Sequence, residues 1–462
     1  MTNKQDKLKS SFRDPAGFLY RTENNLLRQI NQIYKPHYEH LVTSGLYDIL
    51  AQQSDLIPHS EQDLTLASTN DAYKVIKPET IPFISYPYEW SAEQLKDAAL
   101  LTLDIQLSAL RNNMSLKDAS AYNIQFYRGK PIFIDTLSFE KYEKNKPWKA
   151  YKQFCQHFLA PLYLIKYTDQ RLGQLLKNYI DGIPLDLASK LLPFRTKFHL
   201  GAQIHIHIHA KLQNKYGSHH KKVNTNNFSK QAFIHLIQGL HKTISKLSFP
   251  IQAQSEWYDY YESNNNYVED SFKKKLEIID SFLYQSKPSM VWDLGANTGV
   301  FSQVAAKYAQ NVIAWDIDFN CIEQLAKSIK KNNIHNILPL HLDLSNPSPS
   351  IGWGNEERLS FPERGPADCT MALGLIHHLA ISNNVPLNEL AHFFKKISKE
   401  LIIEFIPKED SQVEKLLSSR EDIFDLYDIE NFEQCFDQYF SLISKQSIEG
   451  SSRTLYYYTR KG

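Results

Sequence analysis

The stretch VWDLGANTGVFSQVAA, residues 291–306, restricts this chain more than any other part of its sequence. An apolar run ends in an acid, Asp293. Two glycines then stand four residues apart, Gly295 and Gly299, and a helical pattern follows. A buried strand that must turn at once into a helix needs residues that tolerate a left-handed backbone and the close approach of a ligand. The spacing therefore predicts a strand, a glycine turn and a helix at the switch point of a parallel sheet.

The residues around this stretch agree. MVWDL, NVIAWDI, ILPLHLDL, CTMALGL and ELIIEFI are apolar runs separated by helical or loop stretches, and RTLYYYTR supplies a last strand. Such alternation predicts a doubly wound α/β sheet with helices on both faces. The acid before the glycine turn selects the ligand class. A carboxylate at Asp293 repels a pyrophosphate and attracts a cationic ligand such as S-adenosylmethionine, with its ammonium and sulfonium. Asp316 ends the second strand 23 residues later, where a carboxylate can take both ribose hydroxyls, with Asp318 as its neighbour. Asp343 closes the third strand, in reach of an adenine amine.

D-L-G-A-N-T-G, followed by W-D-I-D and H-L-D, resembles the class I S-adenosylmethionine-dependent methyltransferases over about residues 250–462. Asn297 replaces a middle glycine of the commonest pattern. The resemblance implies cofactor binding by Asp293, Gly295, Asn297, Gly299, Asp316 and Asp343, and methyl transfer by in-line displacement at the sulfonium. It also implies that His377 and His378, in ADCTMALGLIHHLA, lie at the methyl-transfer mouth. An imidazole of ordinary pKa near 6.5 suits a base there, and orienting the loop or stacking on adenine is the alternative role. Glu404, at the end of LIIEF, is a third catalytic candidate, although a Glu on a strand end is usually solvated. The aromatic residues Trp257, Tyr258, Tyr260, Tyr261 and Tyr267 are either a lid over the cofactor or packing for the first helices.

At 462 residues the chain is too long for one ordinary core. The polar stretch at 213–229 predicts a linker between a first domain, 1–212, and a second, 230–462. The net charge of +1 argues against a whole-protein polyanion binder, so a nucleic-acid partner is not expected. Cys155, Cys321, Cys369 and Cys435 lack any CxxC spacing and read as buried thiols in a reducing compartment. No signal peptide and no apolar run of spanning length is seen, so a cytoplasmic protein with no membrane partner is expected. Export by a dedicated machine would leave the same sequence signs.

The first domain predicts a hairpin in FLYRTENNLLRQI, a long helix in SAEQLKDAALLTLDIQLSALRNN and two short strands turning at Arg128–Gly129. Asp118, Asn123 and Asp135, spaced D-x4-N-x11-D, resemble the catalytic and metal loops of kinase-like phosphotransferases. In that resemblance Asp118 takes the hydroxyl proton, and Asn123 and Asp135 hold magnesium. IPFISYPYEWS resembles the hinge between kinase lobes. A glycine-rich loop is missing, no V-A-I-K lysine is clear (Arg28 and Lys77 are candidates), and Asp135 opens D-T-L. The joined motifs resemble a group of bacterial two-domain methyltransferase-like proteins with a degenerate, α+β kinase-like first domain. His205, His207 and His209 alternate, but their flanks predict a helix, on which they diverge and no metal site is expected.

The expectation is a two-domain enzyme using S-adenosylmethionine, its first domain aiding recognition of an unidentified methyl acceptor. Phosphoryl transfer by Asp118, Asn123 and Asp135, and a non-catalytic cofactor-binding module, are the rival readings.

Overall fold

Each of the apolar runs expected as a strand in the second half of the chain forms one, in a computed structural model that describes residues 6–23, 25–211, 228–251, 269–418 and 420–462. The chain divides into two units, Met1–Pro250 with Ile351–Arg358, and Ile251–Ser350 with Leu359–Gly462.

In the first unit, β1 (Asp6–Lys7), β2 (Gly17–Arg21), β3 (Leu26–Asn31), β4 (His59–Gln62) and β5 (Ala72–Pro78) form an antiparallel sheet in the order β1-β2-β3-β5-β4. β2 and β3 are the expected hairpin. β4 has no apolar signature because it is a polar edge strand. Two helices follow β3, Lys35–Thr43 and Leu46–Gln52, separated where Gly45 takes a left-handed backbone with φ 76°. Ser91 caps the long helix Ala92–Arg111 in a reciprocal capping box with Gln94, and the buried face of that helix includes Leu95, Ala98, Leu103 and Ile105. Two small antiparallel pairs follow, β6 (Met114–Leu116) with β9 (Phe139–Lys141) and β7 (Ile124–Tyr127) with β8 (Lys130–Phe133). The β7–β8 turn has φ 51° at Arg128 and 75° at Gly129, as a two-residue hairpin requires.

The helix Lys230–Ser245 belongs to the first unit, which runs to Pro250. It buries Phe233, Ile237, Leu240 and Ile244, and Lys96 donates to the Leu247 carbonyl at 2.7 Å. The expected boundary therefore moves from 213–229 to 250/251. Most of the expected linker, 213–227, lies outside the described residues. The segment Ile351–Arg358 also counts with this unit: Arg13 grips Glu357 at 2.6 and 3.1 Å, and Arg358 lies over the Tyr122 ring at 4.4 Å.

The second unit is built on β10 (Met290–Leu294), β11 (Asn311–Asp316), β12 (Ile337–His341), β13 (Ala367–Ala372), β14 (Ser398–Phe405), β15 (Phe440–Ser447) and β16 (Thr454–Arg460). Their order is β12-β11-β10-β13-β14-β16-β15, a mixed and mostly parallel sheet. The first five run parallel, and β16 is antiparallel to both of its neighbours. β15 escapes a reading by apolar pattern because it is an exposed edge strand with a bulge between Leu442 and Ser444. Val291, Val312, Met371 and Ile402 help fill the core of this unit. Cys155, Cys321 and Cys369 are buried, Cys435 is half-buried, and all four are free thiols.

Strand order reverses beside β10, which has β11 on one side and β13 on the other. In open α/β sheets that reversal opens a crevice at the carboxyl ends of the strands. The turn after β10 is fixed by its glycines. Gly299 has φ 83°, and a Cβ there would lie 2.5 Å from Leu325 Cδ1. Gly295 has φ 77°, but its Cβ would come no closer than 3.5 Å to Leu375. Gly299→Ala is therefore expected to cost about 2–3 kcal/mol, and Gly295→Ala about 1 kcal/mol, as strain without collision. Thermal melts of the two variants check the difference, and equal losses would contradict it.

Candidate functional site

The carboxyl ends of β10 and β11 bring together the residues that the sequence reading placed around a cofactor. The backbone N–H groups of Gly295 and Ala296 both donate to the Trp315 carbonyl, at 2.9 and 2.8 Å, tying the turn to the neighbouring strand. Asn297 holds φ 50°, a conformation Asn tolerates better than most residues, which explains how it replaces a glycine. Its N–H donates to Asp316 Oδ2 at 2.7 Å. Asp316 also accepts from the Asp318 N–H at 2.8 Å. Asp318 is committed elsewhere, capping the helix Phe319–Asn332 through the N–H groups of Asn320 and Cys321. Of the two neighbouring acids, Asp316 is the one at the strand end.

Asp293 is buried and accepts from the Ser302 hydroxyl at 2.6 Å. Burial pushes its carboxyl up to about 7, and the nearby Asp316 charge adds to this, while Ser302 and Lys275 oppose it. Burial likewise lifts Asp316 to about 6, against the stabilising N–H donors of Asp318 and Asn297. Two desolvated acids on adjacent strands create a pocket of negative potential that favours a cation. Asp343 is different. It is half-buried, beyond β12, and accepts from both the N–H and the hydroxyl of Ser345, at 2.8 and 2.6 Å.

The loop after β13 approaches the glycine turn, since Leu375 is the side chain nearest to Gly295. His377 and His378 follow that loop, where the helical segment His378–Ser382 begins, with ring centroids 4.0 Å apart. Burial lowers both imidazoles, His378 to about 4 and His377 well below its ordinary value, with Arg453 adding to the effect on each. Both are neutral at pH 7. They can accept a proton only weakly, so the argument from an ordinary imidazole pKa does not hold here.

Glu404 departs from its expected place as a solvated strand end. It is fully buried, and its Oε2 accepts from the Lys275 ammonium and from the Gly374 N–H, each at 2.7 Å. Glu404 therefore anchors the loop that carries the histidines. Lys275 is buried, sits 4.9 Å from the centre of the Phe301 ring, and has its pKa lowered by burial against the pull of Glu404. A second buried pair, Arg453 with Asp410 at 2.7 and 3.1 Å, lies in the same unit. Neither Lys275 nor Arg453 carries a local sequence signal: in FKKKLE the lysine reads as one of three solvated charges. The aromatic residues Trp257, Tyr258, Tyr260, Tyr261 and Tyr267 lie outside the described residues.

In the first unit, Asp118, Asn123 and Asp135 do come together, but Asp118 Oδ1 and both oxygens of Asp135 are engaged. Asp118 accepts from the Ser120 N–H and from Gln153, both at 2.9 Å. Asn123 donates to the Ser138 hydroxyl at 3.2 Å, and that hydroxyl donates to Asp135. Asp135 is ion-paired with Arg28, which holds its carboxyl below the usual range despite burial. Among the described residues no group of three or more His, Cys, Asp or Glu side chains could hold a metal. With a protein cation already on Asp135, this donor set does not fit a magnesium ion bound through Asn123 and Asp135. The three alternate histidines sit on a helical stretch, and two of them engage separate hydroxyls. His205 bonds Tyr151 at 2.7 Å, and His207 bonds Ser189 at 2.8 Å and Thr196 at 3.0 Å.

The second unit is thus a mostly parallel α/β sheet with buried acids at the carboxyl ends of two adjacent strands. Over its whole length the chain is similar to nodulation protein NoeA of Rhizobium meliloti (strain 1021), with 36% identity over 462 residues, covering 98% of this chain and 96% of the relative. The chain belongs to the NoeA family of nodulation proteins. No family model matches it. Solved structures similar to part of the chain include the N-methyltransferase NodS from Bradyrhizobium japonicum WM9, at 10% identity, 42% of this chain, 98% of that one and TM-score 0.32. Magnesium protoporphyrin IX methyltransferase (ChlM) from Synechocystis PCC 6803, with bound SAH, matches at 16% identity, 44% and 98% coverage and TM-score 0.30. WbdD matches at 17%, 47% and 46%, with TM-score 0.30.

The raised Asp293 carboxyl has a consequence for stability. Between its unfolded value near 4 and its folded value near 7 the native state holds a proton that the unfolded chain has lost, so stability falls as pH rises through that window. Asp293→Asn keeps the acceptor for Ser302 and removes the charge. At pH 8 the variant is expected to be about 1–3 kcal/mol more stable than the parent, with the gain gone below about pH 4. Denaturant unfolding at the two pH values checks this, and a less stable variant at pH 8 would contradict it.

Proposed function

We propose that the second unit binds S-adenosylmethionine and transfers its methyl group to an acceptor that the first unit helps to recognise. The observation that carries this reading is the pair of buried acids, Asp293 and Asp316, flanking a glycine turn where the strand order reverses. Bound there, the cofactor supplies an electrophilic methyl on a sulfonium. Asp293 attracts the cationic end of the ligand, and Asp316 accepts from the ribose hydroxyls. Gly295 and Gly299 let the backbone approach the ligand without a Cβ in the way, and Asn297 shares the positive φ that shapes the turn. Asp343 reaches the adenine amine in exchange for its bond to Ser345.

On the acceptor side, Glu404 and Lys275 hold Gly374 and so set the position of the loop carrying His377 and His378. A neutral imidazole can accept a hydrogen bond from an acceptor hydroxyl or amine and orient its lone pair toward the methyl. With conjugate-acid pKa values this low, orientation is its main contribution and proton removal a minor one. Glu404 is accordingly a positioning residue. The first unit is proposed as a degenerate kinase-like module without phosphoryl transfer, since Arg28 stands on the carboxylate a metal would need.

The test is calorimetric titration with S-adenosylhomocysteine, which keeps the ammonium. A cation beside Asp293 favours the ionised carboxylate, so binding below pH 7 expels a proton. Affinity is expected to rise up to about tenfold per pH unit from 6 to 7 and to level off above. Heats should depend on the buffer's ionisation enthalpy at pH 6.5. Asp293→Asn is expected to lose at least about 100-fold in affinity, and His378→Ala less than about threefold. Tight, pH-independent binding by Asp293→Asn would overturn the site.

A further inference from the structure

The histidine-rich helix of the first unit has an outer side that the proposed function does not use. From Leu187 to Lys211 the sequence contains Lys190, Arg195, Lys197 and Lys211 but no Asp or Glu, and the acid-free run continues to Ser255 in a chain whose net charge is only +1. All four of these basic side chains are exposed. The same stretch exposes large apolar side chains to an unusual degree: Phe198 at 80%, Leu200 at 74% and Phe194 at 68%, with Ile204 at 44% and Ile208 at 40%. Leu200, Ile204 and Ile208 recur every fourth residue along Leu200–Ile208 and so share one face. Phe194 and Phe198 are likewise four apart in the preceding turn, with ring centroids 5.7 Å apart, and Lys197 lies 4.7 Å over the Phe194 ring.

This exposure is built in. On the inner side His207 bridges Ser189 and Thr196, and His205 bonds Tyr151, so the turn Phe194–Phe198 and the helix after it are pinned from beneath. Ile206 and Ala202 fill the core below. Burying the alternate histidines and Ile206 leaves Ile204 and Ile208 pointing outward.

We propose that this face docks on an anionic lipid surface. Aromatic and aliphatic side chains rimmed by lysine and arginine, with no acid among them, are the chemistry of a helix that lies in a membrane interface: the apolar side chains enter the headgroup–acyl boundary and the cations meet the phosphates. The expectation of no membrane partner is drawn from the lack of a spanning segment, and no helix among the described residues is long and apolar enough to cross a membrane. Lying on a surface is a separate mode. The inference does not rest on the cofactor reading.

The experiment is co-sedimentation of the full chain with vesicles of phosphatidylcholine containing phosphatidylglycerol, against pure phosphatidylcholine. Binding to the anionic vesicles alone, weakened by salt, is expected. Phe198→Ser with Leu200→Ser, and separately Lys190→Gln with Arg195→Gln and Lys197→Gln, should each reduce partitioning at least about tenfold. These side chains are solvent-exposed, so circular dichroism should stay unchanged in both variants. Failure of the parent to bind anionic vesicles would overturn the proposal, as would binding that survives the Phe198/Leu200 pair. So would stripe-dependent dimerisation in light scattering without vesicles, or stripe-dependent retention on RNA in preference to lipid.

Discussion

Two carboxylates held out of water at the ends of adjacent parallel strands set the terms for the second unit. Asp293 and Asp316 resist ionisation in the folded chain because burial removes their hydration, and a neighbouring acid adds to this at each, Asp316 beside Asp293 and Asp318 beside Asp316. The surrounding structure answers with donors: the Ser302 hydroxyl for Asp293, and the N–H groups of Asn297 and Asp318 for Asp316. The Asn297 and Ser302 donors are in place because the chain turns sharply after β10, and that turn has positive φ at Gly295, Asn297 and Gly299. The strain of the turn and the desolvation of the acids are thus parts of one arrangement. A cationic ligand would relieve it.

A second buried layer supports the mouth of the crevice. Lys275 and Glu404 form an ion pair excluded from solvent, and Glu404 spends the same oxygen on the Gly374 N–H. Removing either partner would leave a charge buried alone, which is far more costly than the pair itself. The segment leading into the histidines is therefore held from the core side by a buried ion pair. Comparable logic closes the first unit, where Arg28 neutralises Asp135 from within.

What could be read from the sequence follows from the range of the interactions. The glycine turn, the strand-ending acids and the capped helix at Ala92–Arg111 depend on neighbours in the chain, and local pattern reveals them. Glu404 is misread as solvated because its partners, Lys275 and Gly374, lie 129 and 30 residues away. Arg28 on Asp135 and Arg453 on Asp410 are hidden for the same reason. β4 and β15 lack alternation because edge strands face water. The helix Lys230–Ser245 has an apolar face that any unit could bury, so periodicity could not assign it to the first. His378 shows the same gap in electrostatics, since its burial, and hence its weak basicity, comes from the fold around it.

The central claim is that the carboxyl edge of β10, β11 and β12 is the cofactor crevice. Amide hydrogen exchange of the full chain with and without S-adenosylhomocysteine tests it at the level of segments. The account predicts new protection at residues 293–299, 316–320 and 341–345, with the backbone around 118–138 unchanged. Protection confined to the first unit, or none at the strand ends despite saturating ligand, would contradict it.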